Sequence, residues 1–383
     1  VSTGVLALWR RHSRNLCRQQ VESLLAQADI RLGGNRPWDI KIHDPRFFQR
    51  VLADTSLGFG ESYMDGWWDC ERLDELVCRI LRSRLQEQVY SWQDIWAFLQ
   101  AKLFNLQCIH RAFQIGEHHY DIGNELYLAM LDKRLIYSCA YWKQADTLDA
   151  AQEAKLDLVF RKLRLKPRMR VLDIGCGWGG AAKFAAERYG VEVYGVTVSQ
   201  QQAAYAQKLC AGLPVTIELK DYRAIEGRFD CGYSLGMFEH VGVKNYATYF
   251  DVIRRCIPED GLFLLHTIGA NVSSNHGNPW VTRYIFPNSM LPSLAQLGKA
   301  IEGRCIVEDL QNFGPDYERT LLAWYANFEA NWPTLRERYG ERFYRMWRFY
   351  LLSFAGAFRA RHLQLWQIVL SPRGRAERYD APR

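Results

Sequence analysis

The sequence predicts an α/β protein: an open, largely parallel sheet of Rossmann-like type joined to a smaller, mainly helical N-terminal domain. Three observations predict it. From residue 171 onward apolar runs alternate with segments of helical period, and a glycine-rich turn, Asp173-Ile174-Gly175-Cys176-Gly177-Trp178-Gly179-Gly180, closes the first run. Before residue 110 the alternation is absent. Apolar strands that alternate with helices belong in a parallel sheet covered on both faces.

Taken in order, Asp74–Leu85 and Ser91–Leu106 have the pattern of amphipathic helices, with turns at Gly58-Phe59-Gly60 and Asp65-Gly66. Residues 1–106 form the N-terminal domain and 107–383 the larger one, with a linker at Gln107–Arg111. Val171–Ile174 is the first strand, Ala181–Tyr189 a helix, and Val191–Val198 the second strand, closed by Ser199 as a helix cap. Val215–Leu219 and Phe229–Leu235 follow as strands. Tyr246–Ile257 is a helix stopped by Pro258-Glu259-Asp260-Gly261, and Leu262–His266 is the fifth strand. Near the C-terminus Leu335, Tyr339, Phe343, Met346 and Tyr350 recur at helical spacing, beside a face carrying Arg338, Arg342 and Arg345. A packed helix with a solvated basic side is the plainer account; a basic, aromatic face at lipid headgroups is the alternative.

With 383 residues, 48% of them hydrophobic and 24% charged, the chain can bury a sizeable core in two domains. Ten cysteines lie scattered without CxxC pairs, so neither a metal site nor a disulfide framework is expected, and reduced thiols fit the cytoplasm. The apolar stretch Val5–Trp9 is followed, not preceded, by Arg10, Arg11 and Arg14, the wrong order for a secretory signal. No apolar run reaches the roughly 18 residues of a membrane-spanning helix, so a soluble or surface-bound protein is expected. The net charge of +7 favours nucleic acid, anionic lipid or an acidic small molecule without deciding among them. Thirteen Trp, 20 Tyr and 19 Phe exceed ordinary core filling; an acyl-chain tunnel, a cation pocket or a membrane interface would use them.

A glycine-rich turn between a strand and a helix lets backbone approach a ligand and aims N–H groups at it. Asp173 sits two residues before the first glycine, where it can face a cationic amino-acid tail but would repel a pyrophosphate. After the second strand, Gly195-Val196-Thr197-Val198-Ser199 offers no acidic residue for the ribose of a nicotinamide cofactor. S-adenosylmethionine, which has a sulfonium and no phosphate, is the better ligand, with Asp221 placed to hydrogen-bond the adenine. Glu239 and His266 lie just beyond two further apolar runs, where an open parallel sheet puts its chemistry.

Several segments together carry a resemblance: Leu57-Gly58-Phe59-Gly60-Glu61-Ser62-Tyr63-Met64-Asp65-Gly66-Trp67-Trp68, Tyr137-Ser138-Cys139-Ala140-Tyr141-Trp142, the glycine turn, Gly236-Met237-Phe238-Glu239-His240-Val241-Gly242, His266-Thr267-Ile268-Gly269 and Phe313-Gly314-Pro315-Asp316-Tyr317. Over nearly its whole length the chain resembles the cyclopropane-fatty-acyl-phospholipid synthases. The resemblance implies methylene transfer from S-adenosylmethionine to the cis double bond of an unsaturated phospholipid acyl chain, a bound bicarbonate ion, a homodimer, and peripheral contact with the anionic inner face of the cell membrane. By motif match Cys139, Glu239, His266, Ile268 through its backbone, and Tyr317 fall on bicarbonate-binding positions. Tyr137, Ser138, Gly175, Gly177, Thr197, Gln202 and Asp221 fall on or beside cofactor positions. Some relatives carry a cysteine in the C-terminal helix where this chain has Phe354, so a covalent mechanism through that position is impossible here.

The chemistry explains the residue types. An alkene that attacks a sulfonium methyl is left as a carbocation, which needs a dry pocket rich in π-faces; Tyr317, Phe238, Trp142 and Tyr141 are candidates. Ring closure then needs a base within reach in an apolar site. Two other functions compete: a nucleic-acid methyltransferase, for which no Pro-Pro-Tyr or Pro-Cys motif is present, and a lipid-binding protein without catalysis. Closer at hand is a methyl-branching acyl methyltransferase that stops before ring closure.

Overall fold

The computed structural model describes residues 3–85 and 123–383, with the side chains of the first helix from residue 15 onward. The expected helix Ser91–Leu106, the linker and the 106/107 boundary lie outside the described residues.

The N-terminal part comprises α1 (Thr3–Gln27), β1 (Lys41–Ile42), α2 (Arg46–Met64), β2 (Trp68–Asp69) and α3 (Leu73–Arg82), with β1 and β2 paired as a small antiparallel ribbon. Then come α4 (Asn124–Met130), α5 (Leu148–Lys162), β3 (Arg170–Ile174), α6 (Gly180–Tyr189), β4 (Glu192–Thr197), α7 (Gln200–Leu209), β5 (Val215–Leu219), β6 (Cys231–Leu235), α8 (Tyr246–Cys256), β7 (Leu262–Ala270), α9 (Pro279–Tyr284), α10 (Leu294–Ile301), β8 (Ile306–Asn312), α11 (Gly314–Arg359) and β9 (Leu363–Ser371).

The large sheet has the order β5-β4-β3-β6-β7-β9-β8, and β9 runs antiparallel to both of its neighbours. The first strand of the series, β3, is therefore central: the chain winds outward to β4 and β5 on one side, then crosses to β6 and β7 on the other. Its C-terminal end is the topological switch point, where open α/β sheets bind ligands. Ser199 caps α7 as expected, accepting from the Gln202 N–H at 3.3 Å, and Thr147 caps α5 by accepting from Ala150 N–H.

Several elements depart from the expectations, and the turn expected at Gly58-Phe59-Gly60 lies inside helix α2. The fifth strand runs four residues past His266 to Ala270, because Thr267–Ala270 pair with β9. The antiparallel strands β8 and β9 were not foreseen. The C-terminal helix spans 46 residues and breaks at Gly340, whose φ of +73° is not helical.

The N-terminal part and the C-terminal helix share one hydrophobic core. Phe59 stacks on Trp68 at 4.4 Å, and Phe349 of α11 packs against both Phe59 and Trp280. Arg359, near the end of α11, bonds Asp74 (2.7 Å), Glu75 (3.1 Å) and Glu318 (2.7 Å). The arginines once grouped as a basic face pair with carboxylates: Arg338 with Glu125, Arg342 with Asp65 and Arg345 with Asp69. That pattern is the packed helix of the plainer account. No helix among the described residues is long and apolar enough to cross a membrane.

Candidate active site

A cavity of about 960 Å³ opens at the switch point. Its inner end is formed by the glycine turn. Asp173, Gly175, Gly177, Tyr137, Ser138, Thr197, Gln202 and Asp221 all line it, as do Glu239, Ile268 and Tyr317. Farther out the wall is apolar and comes from two distant parts of the chain: Leu25, Phe47, Leu52 and Ile80 from α1–α3, and Phe349 and Phe354 from α11.

The turn is built by conformation. Gly175 has φ +87°, and a Cβ placed there would lie 2.6 Å from the Met237 Cβ, so only glycine fits between β3 and the segment after β6. Asp173 is 2% exposed and accepts a 2.9 Å hydrogen bond from the Tyr233 hydroxyl. Burial, partly offset by that bond and by the charge of Lys155, pushes its pKa up to about 7. Thr197 donates to Gln202 Oε1 at 3.1 Å. Both oxygens of Asp221 are held by the Arg223 guanidinium at 2.7 Å, which orients the carboxylate at the cavity edge.

The segment carrying Tyr137, Ser138 and Cys139 is tied down from two helices. From α5, Gln152 donates to the carbonyls of Ile136 (3.2 Å) and Ser138 (2.8 Å), and Lys155 donates to Ser138 Oγ at 2.9 Å. From α11, Thr320 Oγ accepts from Ala140 N–H at 3.1 Å and from the Trp142 indole at 2.9 Å. Tyr137 and Tyr350 share a hydroxyl–hydroxyl bond of 2.9 Å. Burial pushes Lys155 down to about 8. Gln152 and Lys155 went unnoticed in the sequence, although they stand at the positions of an apolar stripe, Leu148, Ala151, Gln152, Lys155, Leu156 and Val159, where a polar residue is a signal.

The second cluster gathers at the ends of β6 and β7. Glu239 lies on a short 3₁₀ turn, Phe238–His240, and its Oε1 accepts from the Ile268 N–H at 2.6 Å. Its Oε2 is buried and has no hydrogen-bond partner among the described residues. Burial, opposed chiefly by that backbone bond, pushes the carboxyl up to about 7. His266, two residues before Ile268 on β7, does not itself line the cavity. It is 1% exposed, and its Nε2 also has no partner among the described residues. Burial, reinforced by the nearby Lys155 and Lys162, holds the imidazole well below its ordinary range, so it is neutral. Tyr317 reaches the cavity from the start of α11, and burial pushes its phenol well above the ordinary range. Cys139 is fully buried behind the wall, its thiol pushed well up by burial, which makes it no nucleophile.

Of the four rings expected around a cation, Tyr317 alone lines the cavity. Phe238 stacks on Tyr246 at 4.4 Å, in the core beneath α8. Tyr141 packs on Phe313, and Trp142 lies under Arg319. Their places around the opening are taken by Tyr137, Trp178, Phe286, Phe349, Tyr350 and Phe354.

A small oxyanion suits this second cluster on donor chemistry: an unpaired carboxylate oxygen can accept from a protonated oxygen of the ion, while a neutral imidazole and a phenol can donate to it. The Ile268 N–H is already taken by Glu239, so here its backbone acts through that side chain.

A mostly parallel sheet with the glycine turn at its switch point defines the class, a Rossmann-like S-adenosylmethionine methyltransferase fold, and the relatives it matches make the chain an enzyme. Residues 108–368 match the sequence profile described as mycolic acid cyclopropane synthetase, and the chain belongs to that family. It is 52% identical over 349 residues to cyclopropane-fatty-acyl-phospholipid synthase of Escherichia coli (strain K12), covering 91% of each chain. It is 34% identical to the S-adenosylmethionine-dependent methyltransferase UmaA of Mycobacterium tuberculosis (strain ATCC 25618 / H37Rv), covering 68% of this chain and 97% of that one. Among solved structures, mycolic acid cyclopropane synthase CmaA1 complexed with SAH and CTAB superposes with a TM-score of 0.63 at 32% identity, over 68% of this chain and 98% of that one.

Proposed function

We propose that this enzyme transfers a methylene group from S-adenosylmethionine to the cis double bond of unsaturated acyl chains in membrane phospholipids and closes a cyclopropane ring, the proton leaving to bound bicarbonate. It works as a homodimer of chains, each with an N-terminal domain before the catalytic one, on the anionic inner face of the cell membrane. The net charge of +7 supports attraction to such a surface. The observation that carries the reading is the pair of buried polar atoms without a partner among the described residues, Glu239 Oε2 and His266 Nε2, at the ends of β6 and β7.

When bound, S-adenosylmethionine supplies the methyl group and bicarbonate the base. The chain does the rest. Asp173, Ser138, Thr197 and Gln202 surround the cofactor end, and the apolar wall from α1–α3 and α11 holds the acyl chain and excludes water. Tyr317 presents a π-face to the positive charge that develops on the acyl carbon. Glu239, His266 and Tyr317 would hold the bicarbonate, which would supply the base for ring closure.

Incubating unsaturated phospholipid vesicles with the enzyme and S-adenosylmethionine deuterated in its methyl group tests this. Mass spectrometry should find two of the three deuteriums retained, because ring closure removes one hydron from the transferred methyl. Retention of all three means a methyl-branched product, and the bicarbonate assignment falls.

The raised pKa of Asp173 gives a second expectation. Below about 7 its carboxyl is neutral, and above that value it is an anion facing a cationic ligand. The KM for S-adenosylmethionine should therefore fall as pH rises from about 6 to about 8, and in Asp173→Asn this dependence should disappear. Stability of the free enzyme moves the opposite way: a carboxyl raised from 3.8 favours the fold below 3.8, and this contribution is lost as pH climbs to about 7. A KM equally pH-dependent in wild type and variant would remove Asp173 from the cofactor site.

A further inference from the structure

From His266 a row of polar side chains crosses the antiparallel end of the sheet. In register, His266 on β7 stands opposite Gln367 on β9, and Gln367 opposite Gln311 on β8. Lys162, the last residue of α5, comes down over the row with no exposed surface. Its Nζ donates to Gln311 Oε1 at 2.7 Å and to Gln367 Oε1 at 2.9 Å, and the Gln367 amide nitrogen meets His266 Nδ1 at 3.3 Å. Asp309, whose carboxylate lies 3.7 Å from Nζ and bonds Arg383 on its other side, favours the charged ammonium.

Counting donors settles what the imidazole must do. A lysine ammonium has no acceptor, so the Gln367 atom beside it has to be the carbonyl oxygen. The other arm of Gln367 is then an NH₂, which can only donate. Its partner, His266 Nδ1, must be the unprotonated nitrogen, and the proton of a neutral ring sits on Nε2. Nε2 is the atom left without a partner among the described residues.

We propose that Gln367 and Lys162 are positioning residues that fix His266 as the neutral tautomer protonated on Nε2, so that its unpartnered ring nitrogen is an N–H donor. The identity of its acceptor, bicarbonate, rests on the proposed function; the tautomer rests on the row alone. The arrangement explains why Lys162 and Gln367 are kept in the core between α5 and the sheet. They direct one hydrogen atom, which an apolar row of the same volume could not do. None of His266, Gln367 and Lys162 lines the cavity.

The test is nitrogen NMR of the full-length enzyme with labelled histidine, the His266 signals being assigned by their loss in His266→Asn. It is run about one pH unit below the value near 7 to which burial pushes Lys162, so that the amine is charged. Wild type should show an unprotonated Nδ1 and a protonated Nε2. In Gln367→Glu the carboxylate can accept from both neighbours, so the proton should move to Nδ1. Turnover should then fall about 10²-fold, the scale of losing one directed donor, with the KM for S-adenosylmethionine unchanged. A protonated Nδ1 in wild type, or an unaltered tautomer in Gln367→Glu, overturns the proposal. Should Gln367→Glu fail to fold, Lys162→Met serves in its place: with Gln367 free to turn over, signals of both tautomers should appear, and a single Nε2–H form would count against Lys162. Because the spectra need no lipid, an enzyme with the expected tautomer but no ring product would refute the proposed reaction and leave this inference standing.

Discussion

Replacing Glu239 by glutamine is expected to lower ring formation by about 10²-fold or more while leaving S-adenosylmethionine binding nearly unchanged. The substitution keeps shape and volume, and the amide oxygen can still accept from the Ile268 N–H. What changes is the free arm. An oxygen able to accept becomes an NH₂ that can only donate, pointing where a hydrogen-bonded ion would have to present its own proton. Cofactor affinity by calorimetry, run beside product formation on vesicles, separates the two effects. Turnover equal to wild type would remove Glu239 from the chemistry.

Gly175→Ala should be the most damaging change in the turn. At φ +87° an alanine is strained, by about 1–2 kcal/mol. Its Cβ would also press to 2.6 Å from that of Met237, so β3 and the segment after β6 must part, adding about 1–3 kcal/mol. Both segments line the cofactor end, and S-adenosylmethionine affinity should fall with stability. Gly177→Ala provides the contrast: its φ is also positive, but nothing lies within 4 Å of the added carbon. Thermal unfolding without ligand should rank Gly175→Ala well below Gly177→Ala. Equal melting temperatures would mean that Met237 moves aside freely.

The parallel half of the sheet is legible in the sequence because each strand is a short apolar run next to its own helix, and period and punctuation both act locally. Val215–Leu219 is found where it was expected, and the other parallel strands differ mainly at their ends. Strands β8 and β9 are another matter. Ile306–Asn312 is mostly exposed or half-buried and mixes acids with aliphatics, while Leu363–Ser371 is buried throughout with no alternation to read. Their pairing is fixed by tertiary contacts on either side of a 46-residue helix.

The glycine turn, Glu239 and Tyr317 could be reached from motifs, because such chemistry needs particular residue types at strand ends. Lys155, Lys162 and Gln367 could not. Lysine in the core contradicts the ordinary preference for the surface, and only the structure shows the partners that make its burial tolerable. The rings Phe238, Tyr141 and Trp142 show the opposite failure: a composition rich in aromatics does not say which of them turn toward the opening.

The cavity wall has a divided origin. The residues to which the proposed function assigns the cofactor and the chemistry lie between Tyr137 and Tyr317, whereas Leu25, Phe47, Leu52 and Ile80 line the same cavity from the first eighty positions of the chain. The dimensions of the chamber and the chemistry at its floor are therefore encoded in separate stretches. On the proposed function, which acyl chains the enzyme admits could be rewritten in α1–α3 without altering an atom of the floor, so that substrate range could drift under selection, or be redrawn by design, while the reaction stays the same.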